Sequence, residues 1–193
     1  TSVSRGLGDV YKRQVFEKGV RGRDKVCGDG LTPRAVAALH DLEIDMDDAH
    51  RIDGLRMIAG TTRRELPWPD NGRFAPHGAV WPRRRLDEAL ISVAEKAGAE
   101  IRFETEALPI LDGERVVGVE AGGEKFEAPM TVVAAGAPGA VARMLGAERD
   151  PNEPFGLAIR TYAESPRHTD RHLEACLTLC LLYTSDAADD VAS

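Results

Sequence analysis

The sequence predicts an α/β fold: a parallel sheet with covering helices, interrupted by an antiparallel insertion and followed by the start of a second domain. Three observations carry this. Val15-Phe16-Glu17-Lys18-Gly19 reads as the end of a buried strand closed by an acid. Short strand-like runs follow one another between residues 107 and 128, separated by Asp112-Gly113 and Gly122-Gly123, dipeptides that favour tight hairpins. Met130-Thr131-Val132-Val133-Ala134-Ala135-Gly136 is continuously apolar, the pattern of a parallel strand covered on both faces.

The elements follow in order. After Glu17 comes a connection rich in Gly and Arg, then a short helix: Thr32 is an N-cap, Pro33 suits the first helical position, and Ala35, Val36 and Leu39 form its apolar face. Residues 52–60 read as a strand, with Arg63–Leu66 as its hairpin return. Leu66-Pro67-Trp68-Pro69-Asp70-Asn71-Gly72 holds two prolines and an Asn-Gly, so it is a loop. Leu86, Leu90, Val93 and Ala94 recur at helical spacing and predict a helix over 86–97 capped by Gly98. Strands are expected at 100–105, 107–111, 115–120, 125–128 and 130–136, then a helix from Pro138 or Gly139 to Leu145 closed by Gly146, and a strand over 155–164.

The acid closing the first strand suggests a nucleotide. In dinucleotide-binding folds a carboxylate about 20 residues past the glycine-rich turn bonds the ribose hydroxyls. Only 16 residues precede Glu17, too few for a strand, a phosphate turn and a helix. Gly6-Leu7-Gly8 lies 11 positions or fewer from Glu17 and follows no apolar strand, so it is not read as a phosphate loop. Residues 1–14 and 180–193 show no periodicity and resemble translated adapter read-through, so they are read as non-native tails. The expectation is a fragment that starts inside a nucleotide-binding domain.

Composition sets wider bounds. A chain of 193 residues with 42% apolar and 30% charged residues suits one soluble domain or parts of two. A net charge of −7 leaves no electrostatic footprint for nucleic acid. The basic clusters Arg63-Arg64 and Arg83-Arg84-Arg85 are solvated faces or contacts to one bound phosphate. Three cysteines without C-x-x-C spacing make no disulfide framework, which fits a reducing cytoplasm. No run approaches the roughly 18 consecutive apolar residues of a spanning helix. His40, His50, His77, His168 and His172 have no ligand spacing, and no metal site is expected.

Arg23-Asp24-Lys25-Val26-Cys27-Gly28-Asp29-Gly30-Leu31-Thr32-Pro33-Arg34-Ala35-Val36 resembles the Cys-Gly stretch of the geranylgeranyl reductase family of FAD-dependent oxidoreductases. Gly78-Ala79-Val80-Trp81-Pro82-Arg83-Arg84-Arg85-Leu86-Asp87 is similar to that family's R-x-x-[FL]-D helix start, and residues 132–143 to its second FAD fingerprint. Ser165-Pro166-Arg167-His168 followed by Leu173-Glu174 resembles its entry into the substrate domain. The likeness covers nearly all of residues 15–179. The fingerprint departs in one place: the family has an aspartate between Ala135 and Gly136, and Pro138-Gly139 replace polar residues.

The resemblance implies a partial FAD-binding, Rossmann-like domain of the glutathione-reductase type, shared with the aromatic hydroxylases. Residues 15–50 and 81–150 would form the FAD-binding domain, 51–80 substrate-domain strands, and 151–179 the start of the substrate domain. It places Cys27 in the flavin cleft as the candidate catalytic residue, against the ordinary reading of a lone cysteine as a small buried hydrophobe. Glu17, Lys25, Gly28, Gly30, Arg83 and Gly136 are the implied FAD contacts. Glu17 is otherwise a solvated charge at a strand end. Arg83 could exchange places with its arginine neighbours, all of which also read as surface charges, and Trp68 is a pocket wall or an ordinary packing aromatic.

The activity implied is reduction of isolated C=C bonds in an isoprenoid, a geranylgeranyl lipid or a polyprenyl quinone, with NADPH or another reductant. Hydroxylation of an aromatic or polyketide by a flavin monooxygenase of the same fold is the alternative. The partner is a hydrophobic substrate, with a cytoplasmic protein in peripheral contact with the inner face of the membrane. The 193 residues alone are expected to hold FAD negligibly, to be inactive and to be marginally stable.

Overall fold

A computed structural model of the chain describes residues 13–26, 28–70, 72–136, 139–148, 150, 152 and 159–177. The chain divides into two compact units, Thr1–Asp24 with Asp87–Ile159, and Lys25–Leu86 with Arg160–Ser193.

In the first unit, β1 (Arg13–Phe16) pairs in parallel with β7 (Ala99–Arg102), Val15 opposite Ile101. β1 therefore begins two residues inside the stretch that looked patternless. Helix α2 (Arg83–Lys96), which belongs to this unit from Asp87 onward, precedes β7, and Gly98 at φ +85° turns the chain out of it. A meander follows: β8 (Ala107–Asp112), β9 (Arg115–Ala121) and β10 (Glu124–Glu127) form an antiparallel sheet in the order β10-β9-β8. Gly122 and Gly123 take φ +59° and +81°, the two left-handed residues that a tight hairpin turn demands. Phe16 and Phe126 meet with ring centroids 4.9 Å apart, and Arg102 lies over the Phe126 ring at 4.9 Å. Helix α3 (Ala140–Met144) ends at Gly146, φ +81°.

The second unit contains two sheets. β2 (Gly30–Leu31), β6 (Gly78–Val80) and β3 (His50–Ile52) pair antiparallel in the order β2-β6-β3. β11 (His172–Cys176) runs parallel to β4 (Gly54–Ala59), which pairs antiparallel with β5 (Thr62–Pro67). Helix α1 (Pro33–Asp41) starts as its sequence requires: the Thr32 hydroxyl accepts from the Ala35 N–H at 3.3 Å, with Pro33 at N1. It buries Val36 and Leu39 in a core with Ile44, Ile52, Ala79, Trp81 and Leu86. Each fully buried aliphatic side chain stabilises the fold by about 2 kcal/mol.

The α/β class with its antiparallel meander is as expected. Two expected strands do not form among the described residues. Residues 130–136 form no strand, and Met130 and Val132 are 79% and 80% exposed. Among the described residues of this unit the parallel ladder joins β1 to β7 alone, so the apolar run finds no partner to reward β geometry. The strand expected over 155–164 is absent in its described part, 159–164. There the backbone makes no ladder, and the side chains of Arg160 and Tyr162 bond to Asp29 instead. Residues 1–12, including Gly6-Leu7-Gly8, and 180–193 lie outside the described residues.

Candidate functional site

The first unit holds Glu17 and Gly136. Glu17 follows the carboxyl end of β1, where α/β sheets take their ligands. Its backbone is held at both ends: its N–H donates to the Arg102 carbonyl at 2.9 Å, and its carbonyl accepts from Thr105 N–H at 3.0 Å. The carboxylate oxygen Oε1 accepts from Gly19 N–H at 2.7 Å, with Arg23 Nε 3.5 Å away. A Cβ at Gly19 would stand 2.4 Å from Arg23 Cδ, so a side chain there would push Arg23 aside. The loop is fastened further on by Arg21, which bonds Glu88 and Glu95 of α2 and lies over the Phe103 ring at 5.7 Å. Hydrogen bonds from Arg21 hold the Glu88 carboxyl below its usual range. Gly136 takes φ +79°, and its carbonyl accepts from Gly139 N–H at 3.0 Å, so the turn into α3 accounts for the glycine.

The second unit brings Lys25, Gly28, Gly30 and Arg83 onto one strand-and-helix framework. Gly30 opposes Val80 in the β2–β6 ladder, and Trp81 N–H donates to the Asp29 carbonyl at 2.9 Å. This seats the residue 28–30 turn against the start of α2. A Cβ at Gly28 would meet nothing within 4 Å, which leaves that backbone open to a ligand; at Gly30 it would meet Leu173 Cδ1 at 3.5 Å. Lys25 is exposed. Cys27 lies outside the described residues. Trp68 packs on β6, its indole nitrogen 3.3 Å from where a Gly78 Cβ would be, which fits the packing reading of this residue. The buried indole N–H groups of Trp68 and Trp81 have no hydrogen-bond partner among the described residues.

Asp29 escaped the sequence analysis although both flanking glycines were singled out. One oxygen of its carboxylate accepts from Arg83 N–H at 2.9 Å and from Arg160 Nη1 at 3.1 Å; the other accepts from Tyr162 O–H at 2.9 Å. The usable signal was an acid between two glycines. Its partners lie 54 to 133 positions away, beyond any periodicity.

A second charged cluster in this unit is architectural. Arg56 on β4, 5% exposed, donates to Glu65 on β5 at 2.9 Å, to Glu174 on β11 at 3.0 Å and to Asp170. Arg167 adds an ion pair to Glu174, and His172 Nδ1 lies 3.6 Å from Asp170. The Arg56 guanidinium draws the Asp170 carboxyl down to about 2, and Arg56 with Arg63 lowers that of Glu65. Among the described residues no group of three or more His, Cys, Asp or Glu could hold a metal ion, and no helix is long and apolar enough to cross a membrane.

Residues 26–182 match the family described as FAD dependent oxidoreductase. The chain is 36% identical over 162 residues to menaquinone reductase of Mycolicibacterium smegmatis, spanning 81% of this chain and 39% of that protein. Among solved structures, a flavoprotein/dehydrogenase from Cytophaga hutchinsonii superposes with TM-score 0.61 at 18% identity, over 75% of this chain and 38% of its own. PqsL, a probable FAD-dependent monooxygenase from Pseudomonas aeruginosa, superposes with TM-score 0.56 at 20% identity, over 74% and 40%. The structural likenesses establish the fold, and the chain spans about two fifths of the length of these relatives. The family match covers most of the chain, both units included: the chain belongs to the FAD dependent oxidoreductase family.

Proposed function

We propose that the protein containing this chain is an FAD-dependent reductase that saturates isolated C=C bonds in the polyprenyl tail of a quinone, within the geranylgeranyl-reductase-like branch of its family. The observation carrying this is the 36% identity to a menaquinone reductase across 81% of the chain, joined to the Cys-Gly stretch at residues 27–30.

The residues present suit the cofactor. A carboxylate at the end of a parallel strand, Glu17, is an acceptor for ribose hydroxyls. The Gly28 backbone faces open space, and Arg83 at the head of α2 offers a planar fork of donors suited to a phosphate or a flavin edge. Lys25 adds positive charge beside that turn, and Gly136 gives the backbone its bend into α3. When bound, FAD supplies the hydride that an unactivated alkene requires. The chain's part is to bind, orient and deliver a proton, which we assign to the Cys27 thiol. A prenylated substrate resides in a bilayer, so peripheral contact with a membrane belongs to this reading.

The test is turnover of a prenylated quinone by the full-length protein with NADPH, with and without dioxygen. A gain of two hydrogens per double bond without dioxygen, lost in Cys27→Ala, supports the reading. A dioxygen-dependent gain of one oxygen would establish the monooxygenase alternative.

A further inference from the structure

The Asp29 carboxylate receives more donors than a turn residue needs. Its side chain is 10% exposed, that of Arg160 16%. Pro82 opens α2, its carbonyl accepting from Arg85 N–H at 2.9 Å and Leu86 N–H at 3.1 Å, but a proline side chain carries no acceptor for the remaining first-turn amides. Asp29 supplies one, taking the Arg83 N–H at 2.9 Å, and a carboxylate at that end also opposes the helix dipole favourably.

Capping uses a single acceptor. The bonds from Arg160 Nη1 and Tyr162 O–H lie outside that task, and making them orders two long side chains. Those side chains brace each other, with the Arg160 guanidinium 4.8 Å from the centre of the Tyr162 ring. The main-chain bond from Trp81 N–H to the Asp29 carbonyl fixes the same turn from the other direction.

We propose that Asp29 is a positioning residue for the residue 28–30 turn: its carboxylate locks that turn to the head of α2 and to Arg160 and Tyr162, so that the open Gly28 backbone and Arg83 hold one geometry before a ligand arrives. The inference rests on the FAD reading for what is positioned, and on geometry alone for the lock.

Hydrogen exchange at 83–86 together with backbone order parameters over 159–163, on the full 193-residue chain, tests the lock. Asp29→Ala should speed exchange of amides 83–86 about tenfold or more and lower the backbone order parameters over 159–163 to those of a flexible loop, while leaving exchange at 54–58 and 172–176 unchanged. Asp29→Asn, whose carboxamide oxygen still accepts from Arg83 N–H, should restore slow exchange at 83–86 but not the order of 159–163, where the ion pair is gone. If Asp29→Ala melts the whole unit, Tyr162→Phe decides, because it should loosen 159–163 alone. Unchanged order parameters at 159–163 in these variants overturn the lock. Flavin fluorescence titration of the full-length protein then tests the positioning: Asp29→Ala should bind FAD about tenfold more weakly and Asp29→Asn within about threefold of the parent. Equal affinities overturn it. No uptake by the unsubstituted full-length protein would count against the functional reading, with exchange and order parameters still deciding the lock.

Discussion

Arg56 and Glu174 are direct partners across the parallel ladder of β4 and β11, and Nη1 of Arg56 donates to Oε1 of Glu174 at 3.0 Å. Glu65 is the Arg56 partner on the other side, so three charged residues cross the sheet in one row. A parallel ladder needs a distant segment brought into register, and this row selects the register: slipping β11 by one residue would put Leu173 or Ala175 opposite the buried guanidinium.

Removing the guanidinium should therefore cost more than a surface charge does. Arg56→Ala leaves Asp170, Glu174 and Glu65 facing one another without the cation between them. The melting temperature is expected to fall by about 5 °C or more, against about 1 °C or less for Arg64→Ala on exposed β5. Differential scanning calorimetry of the two variants side by side checks this; equal shifts would refute the structural role of the row.

Acid should unfold the second unit through the same cluster. Hydrogen bonding from Arg56 holds the Asp170 carboxyl near 2, below its ordinary 3.8, so the unfolded chain takes up the proton first. The stabilisation is complete above about pH 5 and is lost as the pH falls between about 4 and about 2. Melting temperature against pH should drop steeply in that window, and Asp170→Asn should flatten this part of the profile. An unaltered profile in the variant would assign the acid sensitivity to other groups.

The meander offers a test of packing in the first unit. A Cβ at Gly118 would stand 2.1 Å from the Phe126 carbonyl oxygen, a backbone atom that cannot swing aside. Gly118→Ala is expected to destabilise by about 1–3 kcal/mol, read as a lower urea midpoint with an unchanged slope.

Helix α1 gives a milder case. Thr32→Ala removes the acceptor for the Ala35 amide and should cost about 1 kcal/mol, whereas Thr32→Ser, which keeps the hydroxyl, should stay within a few tenths. Equilibrium denaturation of both variants separates loss of the cap from loss of the methyl group.

Local chemistry made much of the fold legible. Thr32-Pro33 announced α1, Gly122-Gly123 announced the β9–β10 turn, and the spacing of Leu86, Leu90, Val93 and Ala94 announced α2, three residues short of its true start at Arg83. What stayed hidden depends on partners far along the chain. Strands β2 and β6 are two and three residues long and exist because Gly30 meets Val80. Strand β11, His-Leu-Glu-Ala-Cys, has little intrinsic strand character and owes its form to β4. Met130–Gly136 errs in the other direction: the composition favours a strand, but composition cannot supply the neighbour. The candidate site divides likewise. Gly28 and Gly30 were visible from their own residue type, while Asp29 became conspicuous only once Arg83, Arg160 and Tyr162 had converged on it.

Strand β5 gives its sheet a finished border. It is outermost in the order β11-β4-β5, all six of its residues are exposed, and it reads Thr-Arg-Arg-Glu-Leu-Pro. An intruding strand would have to bury Arg63, Arg64 and Glu65, and would find no amide to accept from at Pro67. Among the described residues, a neighbouring molecule seeking a strand to copy is thus turned away at this side of the sheet.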